Sequence, residues 1–357
     1  MYWPICGRIE KHHLKREKRI GIMSDAIEKL LTIIVPTYNR KDSLATGLDA
    51  ILPQVEAHSD CVALYVSDNC SDDGTEQFIR ELQPKHPGII QYKRQERNLG
   101  AQGNFKDAVK SVTTKYVILF SDDDYVLPGY IDTILKGLVR YPNIGLINYN
   151  GLQISVTESF MGVRDPMCAR GAGKYYASGR EFIKEHTHYP SLVSSNVIRK
   201  KEFEKKLDSI DGECYPGYGW FAAMMFAVAD LPCLYIDTPL FLMKCPACQR
   251  WEHNAPLFYV VGLSRLFKGL DLRNLGIWEA WGNIFRSTWF ENYCLNSIAK
   301  YKEEYKGRYA LLLEWSPSNN FSRKLKYYQF YPSWYRYIVL NIIPRIMRRI
   351  KNIFLPV

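Results

Sequence analysis

The sequence predicts an α/β protein built on a mainly parallel central sheet. Two observations carry this. Short apolar, β-branched runs of strand length recur with amphipathic, helix-length stretches between them, and each run stops at a cluster of polar residues. Strands that alternate with helices make parallel sheets covered on both faces, and such sheets bind ligands beyond the carboxyl ends of their strands.

The first run, Leu31–Val35, stops at Pro36 and reads as a strand buried on both faces. A stretch from Lys41 to Leu52 predicts an amphipathic helix, and Val62–Val66 a second strand, completing a β-α-β unit. The polar turn from Asp68 to Gly74 leads into a predicted helix over Thr75–Leu82, and Ile89–Lys93 supplies a third strand. Gly103–Val112 reads as helical, and Tyr116–Phe120 as a strand that runs into three aspartates. Further on, strand-like runs fall at Ile144–Tyr149, Ser191–Val197 and Leu234–Leu242, with an apolar helix near Trp220–Ala229. The expected division is an N-terminal extension over 1–22, an α/β domain over 23–254, and a helical, aromatic-rich and basic region over 255–357.

Composition sets the class. The chain has 357 residues, 47% hydrophobic and 14% aromatic, enough to bury a large core. Its net charge of +10 favours anionic partners. That charge crowds at the two ends without any nucleic-acid-binding motif, so no nucleic-acid partner is expected. Nine cysteines at irregular spacing argue for a reducing, cytoplasmic compartment rather than a disulfide framework. Cys245 and Cys248 lack the second ligand pair that a zinc site needs. The first 22 residues lack the apolar core of a secretory signal, and Met23 reads as the more conventional start. No apolar run is long enough to span a bilayer. The stretches Ile338–Ile343 and Ile346–Leu355 mix apolar with cationic residues, which suits peripheral contact with a membrane interface.

The chemistry concentrates at Asp122, Asp123 and Asp124. Adjacent like charges repel, and capping the next helix would use one of them. A hard divalent cation, Mg²⁺ or Mn²⁺, bound by carboxylate oxygens while it bridges substrate phosphates explains all three.

Four motifs occur in order: Ile-Val-Pro-Thr-Tyr-Asn-Arg (34–40), Val-Ser-Asp-Asn-Cys-Ser-Asp-Asp-Gly-Thr (66–75), Arg-Asn-Leu-Gly (97–100) and Ser-Asp-Asp-Asp (121–124). Together they resemble the nucleotide-binding half of family 2 glycosyltransferases, and among these the bacterial O-antigen enzymes of the abequosyltransferase type. The resemblance spans about 30–150, is faint over 190–245 around Ser194-Ser-Asn-Val-Ile-Arg-Lys, and does not reach the last hundred residues. It implies a GT-A fold. It also implies transfer of a sugar from a nucleotide-diphosphate donor to a saccharide or lipid-linked saccharide acceptor in bacterial surface polysaccharide synthesis, metal-dependent and inverting. Carried over, Pro36, Thr37 and Asn39 line the nucleoside pocket and Asp68 accepts a hydrogen bond from the base. Asn98, Gly100 and Asn104 lie near the sugar and diphosphate, Gly100 to permit close backbone approach. The metal pair is Asp123 with Asp124 when the chain is matched at Leu127-Pro128, or Asp122 with Asp124 when it is read forward. The Glu-Asp pair that supplies the family's catalytic base is missing, leaving Asp211 and Glu213 as the nearest candidates. A chain that kept the fold and lost the base would bind sugar nucleotide or glycan without turnover.

Overall fold

The structure is a computed structural model that describes residues 29–157, 160–166, 173–186, 189–210, 215, 219–245, 256–270, 294–298, 300–305, 307–316, 321–322 and 325. Asp211, Glu213, Cys248 and the tail from 327 lie outside them.

Four strands form a parallel block: β1 (Leu31–Thr37), β2 (Val62–Asp68), β3 (Ile90–Arg94) and β4 (Tyr116–Leu119). Between them run α1 (Lys41–Ala57), α2 (Thr75–Leu82) and α3 (Gly100–Ser111). The apolar runs make strands because both faces are covered. Ile33, Leu64 and Ile118 enter one buried cluster, while their neighbours Ile34, Tyr65 and Val117 enter the cluster on the opposite face. Each such aliphatic side chain contributes about 1.5–3 kcal/mol on burial.

After β4 the sheet changes character. The short β5 (Tyr125–Val126) and helix α4 (Tyr130–Arg140) lead to β6 (Leu146–Thr157), followed by β7 (Phe160–Pro166), β8 (Lys174–Tyr176) and α5 (Gly179–His186). Then β9 (Asn196–Arg199) inserts between β4 and β6, antiparallel to both. Helices α6 (Lys200–Ser209) and α7 (Gly219–Val228) precede β10 (Cys233–Cys245), which pairs parallel with β6 and antiparallel with β5 and β8. The expectation of a mainly parallel sheet holds for β1 to β4, and the reversed β9 makes the whole sheet mixed. The run 191–197 was expected as strand. Instead it is two short 3₁₀ turns, Tyr189–Ser191 and Val193–Ser195, and extends only from Asn196.

Beyond β10 the described residues are helical, including α8 (Leu263–Gly269), α9 (Lys302–Tyr305) and α10 (Tyr309–Glu314). Leu257, Phe267, Ile298, Leu312 and Leu325 are buried in the same cluster as Ala108 of α3, Phe203 of α6 and Met224 of α7. This part of the chain therefore completes the core beneath the sheet. Among the described residues no helix is long and apolar enough to cross a membrane.

Candidate active site

Strand register builds the rim. Thr37 at the end of β1 stands opposite Asp68 at the end of β2, and Asp68 stands opposite Arg94 at the end of β3. On the other side Ile34 pairs with Leu119, and the Phe120 amide donates to the Ile34 carbonyl at 2.8 Å. The chain leaving β4 thus carries Ser121–Asp124 to the same edge. Helices α1, α2 and α3 begin there as well, so their partial positive charges favour an anionic ligand.

The three aspartates differ in environment. Asp122 is buried; its Oδ2 accepts from the Thr37 hydroxyl at 2.7 Å and its Oδ1 from Arg40 Nη1 at 3.0 Å. Asp123 is partly exposed and accepts from the Ser121 hydroxyl at 2.6 Å and from the same Arg40 nitrogen at 2.7 Å. Asp124 is buried and accepts from the Ser194 hydroxyl at 2.6 Å. Ser194 is itself fixed, because its Oγ accepts from the Ser121 amide and its carbonyl accepts from the Tyr149 hydroxyl. In α1, a Cβ on Gly47 would lie 3.4 Å from the Asp124 carbonyl, so a glycine lets the helix rest against this turn.

Burial pushes the Asp122 carboxyl up to about 6, against the pull of Arg40 and of the Thr37 hydrogen bond and with the help of the Asp123 charge. The folded protein thus holds this proton more tightly than the unfolded chain, whose carboxyl titrates near 3.8. Ionising Asp122 costs stability as pH rises from about 4 to about 6, and the cost is constant above that. Asp122→Asn should therefore lose less stability than the parent between about pH 4 and about pH 7, by a few kcal/mol. Urea unfolding in chelator at the two pH values measures it.

The nucleoside-side residues make a second network. Asp68 is fully buried; it accepts from the Ser71 amide at 2.8 Å and from the Tyr92 hydroxyl at 2.7 Å. Arg94 donates to the Ser71 carbonyl at 3.0 Å, bracing the same loop. Asn39 adopts a left-handed φ of 52°, a conformation Asn tolerates better than most residues. Its amide donates to Ser71 Oγ and its side-chain oxygen accepts from the Asp72 amide. Pro36 is buried at the end of β1. Asp73 accepts from the Thr75 and Lys41 amides, capping two helices.

Asn98 and Gly100 are exposed on the rim, where Asn98 Oδ1 accepts from the Gly100 amide and from Asn69 Nδ2, both at 2.8 Å. Asn104 and Gly100 each have a structural task as well. Asn104, expected near the sugar and diphosphate, is buried in this structure: its amide donates to the Ser67 carbonyl and its oxygen accepts from the Ser67 hydroxyl, tying α3 to β2. Gly100, expected to allow close backbone approach, has a φ of 71°, which by itself favours glycine, and a Cβ there would meet no protein atom within 4 Å. Gly100→Ala should cost about 1–2 kcal/mol of stability, read by chemical denaturation.

The donor set fits a hard cation. Carboxylate oxygens cluster at the rim, while among the described residues no group of three acidic, His or Cys side chains could hold a metal alone. Such an open set matches Mg²⁺ or Mn²⁺ held by one or two carboxylates and completed by phosphate oxygens. Sequence reasoning did not assign Arg40 or Ser194 to the site. Arg40 closes the first motif, just past the end of β1; Ser194 lies 70 residues beyond Asp124 and only the fold joins them.

Residues 32–161, which hold both networks apart from Ser194, match the family model described as glycosyl transferase family 2. This segment is a family 2 glycosyltransferase domain. The chain is 27% identical over 190 residues to an uncharacterized glycosyltransferase of Methanocaldococcus jannaschii, covering 50% of this chain and 60% of that protein. It is 36% identical over 111 residues to abequosyltransferase RfbV of Salmonella typhimurium, covering 29% and 33% respectively. The chain thus spans less than two thirds of the length of these curated relatives. The crystal structure of S. aureus TarS 1–349 superposes on this chain with a TM-score of 0.60 at 13% identity, covering 84% of this chain and 87% of that one. That likeness concerns the fold, which is the GT-A type.

Proposed function

We propose that this chain transfers a sugar from a nucleotide-diphosphate donor to a hydroxyl of a saccharide or lipid-linked saccharide acceptor, with a divalent cation and inversion at the anomeric carbon. One observation carries the reading: within a family 2 domain, Thr37, Asp68 and the Asp122–Asp124 turn meet at the carboxyl edge of one parallel block. Support for the donor class comes from TarS, whose structure is known in complex with UDP-GlcNAc. The likeness to an abequosyltransferase supports a role in surface polysaccharide synthesis.

In this reading Asp124, together with Asp123 or Asp122, holds the cation, which supplies positive charge against the leaving diphosphate. Both acids have both oxygens engaged, Asp122 by Thr37 and Arg40 and Asp123 by Ser121 and Arg40, and Asp123 suits the partner role because it is the more exposed of the two. Asn39 and Pro36 border the nucleoside, and Thr37 fixes Asp122 from below. Asp68, fully buried with its oxygens held by the Ser71 amide and the Tyr92 hydroxyl, holds the Ser71 loop in place, and a carboxylate there accepts a base N–H once the loop opens to the nucleoside. The exposed Asn98–Gly100 turn at the start of α3 directs amide dipoles at the diphosphate. Asp211 or Glu213 removes the acceptor proton as the hydroxyl oxygen attacks the anomeric carbon and the nucleoside diphosphate departs. The basic C-terminal tail brings the enzyme to a membrane surface carrying the acceptor.

A panel of UDP, GDP, CDP and dTDP sugars tests the proposal. At least one should be hydrolysed slowly in the presence of Mn²⁺ and should raise the melting temperature. Silence across the panel, with folded protein, would refute the reading.

A further inference from the structure

Arg40 occupies the place where positive charge is most needed. Its single Nη1 nitrogen donates to Asp122 at 3.0 Å and to Asp123 at 2.7 Å. The side chain is 35% exposed against 6% for Asp122 and 22% for Asp123, so Arg40 is more open to solvent than either acid it binds. Its position is built in. Asn39, left-handed and anchored to Ser71 and Asp72, turns the chain so that Arg40 precedes the first turn of α1 and faces the aspartates.

A divalent cation that binds an Asp123 oxygen must approach this guanidinium closely, and like charges at a few ångströms repel strongly in a partly buried site. Arginine, for its part, presents a planar fork of donors that matches phosphate oxygens. A nucleotide diphosphate arriving at the rim brings such oxygens within reach of α1.

We propose that Arg40 and the divalent cation compete for Asp123, so that Arg40 keeps metal affinity low until donor arrives. The diphosphate draws the guanidinium away from the carboxylates, and metal and donor are taken up together. The inference rests on the metal-dependent donor binding proposed above and adds its order and its controlling residue. Arg40 acts here as a positioning residue.

The test is Mn²⁺ binding, followed by the EPR signal of free Mn²⁺, with full-length protein in the presence and absence of the nucleoside diphosphate selected by the donor panel. The parent protein should bind Mn²⁺ weakly alone and about 5–150-fold more tightly with nucleotide. Arg40→Gln should bind Mn²⁺ alone about tenfold more tightly than the parent and show correspondingly less enhancement by nucleotide. Arg40→Lys, which keeps a charge without the fork, should fall between them. Because Arg40→Gln leaves the acids unshielded, melting curves in chelator and in Mn²⁺ accompany the binding data, and Mn²⁺ should raise its midpoint more than the parent's. If Arg40→Gln binds Mn²⁺ no more tightly than the parent while nucleotide still enhances uptake, the competition is refuted and the functional reading stands. If no protein takes up Mn²⁺ with any nucleotide, both fail.

Discussion

Asp124→Asn should lower donor turnover by about 10²–10³-fold while leaving the protein folded. Asparagine keeps a side-chain oxygen that can accept from the Ser194 hydroxyl, which donates to Asp124 at 2.6 Å, and it keeps the turn closed by the Asp124 amide on the Ser121 carbonyl. What it removes is the negative charge. If that charge holds a cation against the leaving diphosphate, its loss falls on the transition state and on metal affinity. Steady-state kinetics across a Mn²⁺ titration, with a melting curve as control, reads both. A variant that melts like the parent and turns over within a few-fold of it would remove Asp124 from the metal site.

The second large effect concerns the catalytic base. One of Asp211→Asn and Glu213→Gln should lower kcat by about 10²–10⁴-fold with little change in the donor KM, because a base that acts on the acceptor contributes to the transition state and not to donor binding. Both residues lie outside the described part of the structure. The element that follows them, however, begins beside the rim: Gly219, at the start of α7, packs against Gln102 in the first turn of α3. Should neither variant affect kcat, the acceptor proton leaves by another group, and the non-catalytic reading gains if the parent is inactive too.

Much of the parallel block was legible because its signals are local. Runs such as Tyr116–Leu119 are apolar on both sides of the pleat, and the polar residues that stop them mark the ligand edge. Helix α2 falls on Thr75–Leu82 as predicted, since a left-handed Gly74 and the Asp73 cap define its start. The reversed β9 was not legible, because its place between β4 and β6 depends on long-range pairing and its four residues are too short to announce a direction. Ser194 was hidden for the same reason. Asn104 is a different case. It shares a buried stripe with Ala108, four residues on, so helical periodicity carried the information that its side chain turns inward. The family resemblance pointed it at the ligand instead. Arg40 carried a signal too: three adjacent acids packed at a strand edge need a counter-charge, and an arginine just past the neighbouring strand can supply it.

The central claim is that the aspartate turn holds a cation against the donor's diphosphate. The direct measurement is ³¹P relaxation of the bound nucleoside diphosphate in the presence of substoichiometric Mn²⁺. The parent protein should broaden the phosphate resonances strongly and distance-dependently, and Asp124→Asn should abolish that effect while still binding nucleotide. Equal broadening in parent and variant would place the cation elsewhere and contradict the account.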